Sequence, residues 1–91
     1  MKKRVYLIIT GDVTGVGYRY WARKNAQALG LSGYVRNVET GKVEAVFEGE
    51  EETVKEMVER CRKGPEVSWV TKLDEKWGET TGEFKGFEVR F

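Results

Sequence analysis

The chain has 91 residues, which is the size of one small domain, and its 40% hydrophobic content is typical of a folded globular protein. Its 16 basic and 15 acidic side chains leave a net charge of +1, whereas a dedicated nucleic-acid binder usually carries a clear basic surplus. Histidine is absent, which excludes a serine–histidine catalytic triad and removes the commonest metal ligand.

The first third of the chain predicts a strand, a glycine-rich loop and a helix. Residues 4–11 are β-branched and aromatic, which favours a central strand. Three glycines follow between Gly11 and Gly17, and residues 18–29 then predict a helix that ends at Gly30. The side chains expected on or near the buried face of this helix are Tyr18, Ala22, Ala26 and Leu29.

The middle of the chain predicts a β-hairpin and a second helix. Residues 33–38 and 42–49 flank a short turn that ends in Gly41, a pattern typical of hairpins. Residues 50–63 then predict an amphipathic helix, which Gly64 and Pro65 end. The apolar stripe of this helix consists of Val54, Met57, Val58 and Cys61.

The remaining residues predict two more strands, over 67–77 and 87–91, with a loop between them. The complete order predicts an α+β fold, a ferredoxin-like βαββαβ sandwich with a short extra C-terminal strand. Two helices would then cover one face of a mainly antiparallel sheet. Because this fold supports many unrelated activities, the function must be argued from the site.

Other features of the sequence set the expected cellular context. Cys61 is the only cysteine, so no intrachain disulfide is possible and a reducing, cytoplasmic location is expected. No apolar run approaches the roughly 18 residues that suggest a membrane span, and the N-terminal residues do not have the pattern of a signal peptide. Since the chain has no linker or low-complexity tract, we expect one domain over residues 1–91 and no membrane partner.

The glycine-rich loop matches neither standard nucleotide-binding motif. A P-loop requires a second glycine and a lysine, but Val16 occupies the glycine position and no lysine follows. A dinucleotide-binding loop requires a third glycine, but Tyr20 occupies that position after Gly15 and Gly17. The order of strand, glycine turn and helix start is nevertheless typical of an anion site, because backbone N–H groups converge there.

The two predicted helices differ in how charge is placed at their N-termini. The second begins with three glutamates, which complement the positive end of a helix dipole. The first instead carries Arg19, Arg23 and Lys24 and has no acid. A bound anion would turn Arg19 from an unfavourable charge into a two-pronged ligand for a phosphoryl group. On spacing alone, a tight turn beside a solvated Arg19 explains the loop equally well.

Two longer segments resemble the signature segments of the acylphosphatase family. They are ITGDVTGVGYR at residues 9–19 and GYVRNVETGKVEAVFEG at residues 33–49, and GEFKGFEVRF at residues 82–91 resembles the C-terminal end of that family. The resemblance covers essentially the whole chain. The first segment departs at Thr14, where the family usually has Gln, and at Tyr18, where Phe is commoner.

The resemblance implies hydrolysis of acyl phosphates to a carboxylate and inorganic phosphate, without metal or cofactor. Arg19 would bind the phosphoryl group, and Asn37 would hold and orient the attacking water. Inorganic phosphate would be both product and competitive inhibitor. The residues implied to contribute to phosphate binding, mainly through their amides, are Gly15, Val16, Gly17, Tyr18 and Arg19.

Two alternatives without catalysis remain at this point. The RNA-recognition fold has the same element order, and KGFEVRF at residues 85–91 resembles one of its motifs, although Glu88 interrupts it. The chain also fits a non-catalytic, regulatory acylphosphatase-like domain of the kind found within larger carbamoyl-transfer proteins. Salt-dependent RNA binding would identify the first alternative, and an intact fold without turnover would identify the second.

Overall fold

A computed structural model describes residues 1–91 and contains five strands and two helices. The strands form one sheet in the order β4-β1-β3-β2-β5, in which only the β2–β5 pair is parallel. Both helices pack on one face, so the predicted ferredoxin-like α+β fold is confirmed. The elements are β1 (Lys2–Asp12), α1 (Tyr18–Ala28), β2 (Ser32–Glu39), β3 (Lys42–Glu50), α2 (Glu51–Lys63), β4 (Trp69–Gly78) and β5 (Phe87–Arg90).

The core lies between the sheet and the two helices, as the hydrophobic periodicity predicts. Alternate residues of β1, namely Val5, Leu7 and Ile9, are fully buried because a strand directs every second side chain to the same face. The predicted apolar stripe of α2 is buried throughout, as is most of the predicted face of α1. Neither helix has the length and apolar character that crossing a bilayer requires.

The opposite face of the sheet buries two carboxylates. Glu44 on β3 accepts hydrogen bonds from the hydroxyls of Tyr6 (2.5 Å) and Tyr34 (2.9 Å) and from Nε of Arg36 (2.6 Å). Glu48, two residues further along β3, is 4% exposed and holds the connection between β4 and β5 against this face. Burying each charge is compatible with folding because several donors surround it.

Most predicted element boundaries differ from the observed ones by one or two residues, and two of these differences have a clear local cause. Strand β4 begins at Trp69 rather than Val67, because Ser68 folds back through its N–H and its hydroxyl onto the Pro65 carbonyl (2.9 and 2.7 Å). Helix α2 begins at Glu51, and Glu50 is the preceding cap residue in an extended conformation. Neither correction changes the order of the elements.

Candidate active site

The glycine-rich loop between β1 and α1 owes its shape to two left-handed glycines. Gly15 and Gly17 have φ angles of +75° and +79°, which side chains with a Cβ rarely adopt. Gly17 is the cap residue of α1, and its carbonyl accepts the first helical hydrogen bond from the Trp21 N–H (3.0 Å). The chain therefore turns sharply from strand to helix and brings consecutive amides close together.

The amides of this loop are free to bind an anion. The N–H groups of residues 15–17 donate to no backbone oxygen of the chain, and no side chain caps α1. The first turn of α1 contains no acidic residue, whereas that of α2 contains Glu51 and Glu52. Because uncapped N–H groups and the helix dipole both attract negative charge, the start of α1 is electropositive.

The sequence around this loop strengthens that field. No Asp or Glu occurs between Asp12 and Glu39, while Arg19, Arg23 and Lys24 lie in α1. Arg36 also lies in that stretch, but it is paired with Glu44 on the opposite face of the sheet and does not add to this field. The segment that forms the loop, α1 and most of β2 is therefore purely cationic in an otherwise balanced chain. Such an asymmetry attracts small anions to this end of the molecule.

Arg19 lies in the first turn of α1, and the end of the chain holds it in place. Its Nη1 donates to the Arg90 carbonyl at 3.3 Å, and its Cζ lies 4.7 Å from the centroid of the Phe91 ring. It forms no salt bridge, so no carboxylate neutralises its charge. The guanidinium is thus oriented by a carbonyl and an aromatic face and keeps donors for a ligand.

Asn37 lies near the end of β2 and faces the helix side of the sheet. It is two residues beyond the fully buried Val35, and successive strand residues point to opposite faces. Its Oδ1 is buried and has no hydrogen-bond partner in the protein, the only such side-chain atom in the structure. Because buried polar atoms are nearly always paired, this acceptor is well placed for a water or substrate group.

The fold brings Arg19 and Asn37 to the same end of the molecule. Helix α1 and strand β2 run in opposite directions, and the 11 residues of α1 span about 16 Å. The part of β2 from Ser32 to Asn37 is about 17 Å long, so it spans a similar distance in the opposite direction. The start of α1 and the end of β2 therefore lie level with each other.

The side chain of Tyr18, the first residue of α1, belongs to the core, so only its backbone faces the anion site predicted from the sequence for this loop. It is 1% exposed, and its hydroxyl donates to the Cys61 carbonyl at 2.6 Å in the last turns of α2. Burial raises the pKa of the Cys61 thiol to about 12, so this cysteine is not a nucleophile at neutral pH. No group of three or more His, Cys, Asp or Glu side chains is placed to hold a metal ion.

Comparison with known proteins supplies the deciding observation. The family model for acylphosphatase matches residues 5–89. The chain belongs to the acylphosphatase family. It is 46% identical over 86 residues to an acylphosphatase of Roseiflexus sp. (strain RS-1), covering 94% of this chain and 92% of that protein. The crystal structure of acylphosphatase from Bacillus subtilis superposes with a TM-score of 0.92 and 29% identity over 98% of this chain and 99% of that one.

A weaker match bears on the regulatory alternative. The structure of full-length HypF in a phosphate- and nucleotide-bound form matches with a TM-score of 0.89 and 26% identity. That match covers 100% of this chain but only 12% of HypF. The higher identity to a free-standing acylphosphatase, over nearly its entire length, favours the enzyme over a regulatory segment.

The central aromatic residue of the segment that resembles an RNA-binding motif is buried. Phe87, the aromatic residue that would have to stack on a base, is 6% exposed and belongs to the core. Its ring lies nearly parallel to that of Phe47, with the centroids 5.2 Å apart. A side chain packed in this way has no free face for a nucleobase.

The sequence analysis did not predict the contacts that Phe91 and Thr14 make at the site. Phe91 packs on Arg19, and Thr14 accepts a hydrogen bond from the Gly41 amide at 3.2 Å. Thr14 was visible as a departure from the family pattern, so a signal for it existed. Phe91 gave no comparable signal, because its contact with Arg19 depends on how β5 pairs with β2.

Proposed function

We propose that the protein, as one domain over residues 1–91, hydrolyses acyl phosphates to a carboxylate and inorganic phosphate without a metal ion. The observation that carries this proposal is the buried, unpartnered Oδ1 of Asn37, level with an uncapped helix start that presents Arg19. One side of the site presents positive charge and N–H donors, and the other presents a hydrogen-bond acceptor. A phosphoryl group complements the first side, and a water molecule complements the second.

In this proposal the loop binds the phosphoryl group. The amides from Gly15 to Arg19 and the guanidinium of Arg19 donate hydrogen bonds to its oxygens. The planar guanidinium contacts two oxygens at once, which fixes the orientation of the group as well as its position. In phosphoryl transfer the charge is spread over three oxygens, so fixed donors of this kind provide most of the catalytic stabilisation.

Asn37 orients the attacking water. Its Oδ1 accepts a hydrogen bond from the water and directs the water oxygen towards phosphorus. An amide does not remove a proton, so the proton passes late in the reaction to a phosphoryl oxygen. The bond from the water oxygen to phosphorus forms, and the bond from phosphorus to the carboxylate oxygen breaks.

The leaving group explains why no general acid is required. A carboxylate is the conjugate base of an acid with a pKa of about 4, so it departs without being protonated. A chain without histidine is therefore chemically sufficient for this reaction. Inorganic phosphate, which presents the same oxygens, competes with substrate for the loop. A buried free thiol at Cys61 fits a reducing compartment, and we infer a cytoplasmic location.

The test is the hydrolysis of benzoyl phosphate in the presence of EDTA. The wild type is expected to turn over, and Arg19→Ala and Asn37→Ala are each expected to lose activity by about 100-fold or more. Arg19→Ala should also weaken inhibition by inorganic phosphate, because it removes part of the phosphate site. The matched control is Arg23→Ala, which removes a cation that stacks on Tyr20 in the same helix and should retain most of the activity.

The results separate the candidate functions. A folded wild type without turnover would overturn the proposal and favour the non-catalytic alternative. An activity that EDTA abolishes would overturn its metal-independent chemistry. Equal losses in Arg19→Ala and Arg23→Ala would show that general positive charge, rather than a specific phosphate ligand, is what matters.

A further inference from the structure

Thr14 joins the two halves of the site. It carries the only polar side chain between Val13 and Gly17. Its Oγ1 accepts a hydrogen bond from the Gly41 N–H at 3.2 Å, across 27 positions of the chain. Gly41 lies in the turn between β2 and β3, four residues beyond Asn37. The hydroxyl thus connects the phosphate loop to the hairpin that carries Asn37.

Gly41 forms a second hydrogen bond, to Gly11, and we call the two bonds that Gly41 makes to Thr14 and Gly11 the Gly41 joint. The Gly11 N–H donates to the Gly41 carbonyl at 2.9 Å, so Gly41 is held through both of its backbone polar groups. The bond from Gly11 belongs to the backbone at the end of β1. The bond to Thr14 reaches the loop itself, one residue before Gly15.

The joint is needed because the pairing of the strands is irregular at this point. The register of the β2–β3 ladder shifts between Asn37 and Glu39, so the pairing is irregular just before the turn. The N–H groups of residues 15 to 17 donate to no backbone oxygen. Since the β1–β3 ladder ends at Thr10 and Lys42, Thr14 provides the one hydrogen bond to the hairpin turn that comes from beyond β1.

We propose that Thr14 is a positioning residue, which sets the distance between the phosphate loop and Asn37 by holding the Gly41 amide. This inference rests on the proposed function, because it assigns the alignment of water and phosphoryl group to Thr14. All the phosphate ligands lie on one side of the Thr14–Gly41 hydrogen bond and Asn37 lies on the other. Loss of the bond therefore affects the reaction of the bound substrate more than the binding of phosphate.

The test compares Thr14→Val, which keeps the shape but removes the hydroxyl, with Thr14→Ser, which keeps the hydroxyl. Thr14→Val is expected to lower kcat for benzoyl phosphate by about 5- to 20-fold, since displacements below 1 Å already reduce rates in aligned reactions. Its inhibition constant for phosphate should stay within about twofold of the wild type. Thr14→Ser should recover most of kcat.

A double variant distinguishes positioning from a general loosening of the fold. In the Asn37→Ala background no oriented water remains to be misaligned, so adding Thr14→Val should lower kcat by less than about twofold. Full additivity of the two substitutions would overturn the inference. A parallel loss of phosphate affinity in Thr14→Val, or an unchanged kcat, would overturn it as well.

Hydrogen exchange of the Gly41 amide tests the joint without relying on activity. The amide should exchange slowly in the wild type and in Thr14→Ser and faster in Thr14→Val. A wild type without turnover would end the proposed function, and the exchange result would still decide whether the joint exists. Equal exchange rates in all three proteins would overturn it.

Discussion

Glu44 and Asn37 lie one register step apart, on opposite faces of the same pair of strands. Glu44 is a buried residue, and Asn37 is partly exposed but has a buried Oδ1. Glu44 pairs with Arg36 across the β2–β3 ladder, and Asn37 pairs with Val43 beside it. The carboxylate of Glu44 accepts three side-chain hydrogen bonds, whereas Oδ1 of Asn37 accepts none. The same sheet therefore satisfies one polar group fully and leaves its neighbour without a partner.

This difference separates a group that stabilises the fold from one that is available for chemistry. The carboxylate of Glu44 links β3, which carries it, to β1 and β2, which supply its donors, and so helps to fix the register of the three strands. A buried acceptor without partners costs stability and is retained in a native fold where it has another use. Removing the Glu44 side chain should therefore mainly lower stability, and removing the Asn37 side chain should mainly lower activity.

The largest expected effect on stability is that of Glu44→Ala. The hydroxyls of Tyr6 and Tyr34 and the guanidinium of Arg36 would lose their shared acceptor, so the free energy of unfolding should fall by about 2–3 kcal/mol. Asn37→Ala should change it by less than about 1 kcal/mol, because no hydrogen bond is lost. Urea denaturation of both variants measures the difference.

Glu66→Ala is the control for this pair. Glu66 is exposed and forms no salt bridge, so its loss should change the unfolding free energy by less than about 0.5 kcal/mol. Activity per folded molecule should follow the opposite order, with Asn37→Ala far below Glu44→Ala. A larger destabilisation by Asn37→Ala than by Glu44→Ala would contradict the contrast between the two sites.

An intermediate effect is expected from acid. Burial by itself would raise the pKa of Glu44, but the hydrogen bonds from Arg36, Tyr6 and Tyr34 outweigh it and hold the pKa below its ordinary 4.5. Glu48 behaves in the same way, through Thr81, Arg4 and Gly82. In the unfolded chain these carboxyls bind protons at higher pH than in the folded protein. Their stabilisation is therefore complete above about pH 4.5 and is lost as pH falls through the lowered pKa values.

Measuring the unfolding free energy between pH 7 and pH 2.5 checks this expectation. The wild type should lose stability below about pH 4.5, and Glu44→Gln should flatten the curve in that range because the titrating group is gone. Asn37→Ala should follow the wild-type curve. A Glu44→Gln curve with the same slope as the wild type would show that other carboxyls dominate acid unfolding.

The smallest effects concern the two helix starts. Glu51→Gln should lower the unfolding free energy by about 0.3–1 kcal/mol, because the acid complements the dipole of α2 and pairs with Lys55. Arg19→Gln should not lower it by a comparable amount in phosphate-free buffer, since a cation is unfavourable at the start of α1. Added phosphate should raise the Tm of the wild type and hardly that of Arg19→Gln.

A rise in Tm of equal size in both proteins would place the phosphate away from Arg19. The Glu51→Gln variant serves as the control here, because its α1 terminus is unchanged and its response to phosphate should match the wild type.

The sequence predicted what short-range patterns determine. Three of these patterns are confirmed: the alternating burial in β1, the apolar stripe of α2 and the hairpin turn that ends in Gly41. Each of them involves residues close together in the sequence. The assignment of Arg19 and Asn37 depended on resemblance to a family and stays a prediction. Local patterns alone left Arg19 equally consistent with a solvated surface residue.

What the sequence could not predict depends on contacts between distant residues. Thr14 bonds to Gly41 across 27 positions, and Arg19 bonds to Arg90 across 71. Whether Oδ1 of Asn37 has a hydrogen-bond partner depends on every element packed around it, so a sequence motif cannot predict it. The start of β4 was misplaced because a turn formed by Pro65 and Ser68 competes with strand propensity at Val67.

The parallel pairing of β5 with β2 has a consequence for folding kinetics. Arg19 is held in its observed position by the carbonyl of Arg90, the last residue of β5, and by the ring of Phe91, which follows it. Pairing of β5 with β2 brings together residues 54 positions apart, such as Gly33 and Phe87, and such non-local contacts form slowly. We therefore expect a refolding molecule to form its helices and the β2–β3 hairpin before Arg19 is held in place. We therefore expect the phosphate binding proposed for Arg19 to recover late in refolding and to report on the docking of the last strand.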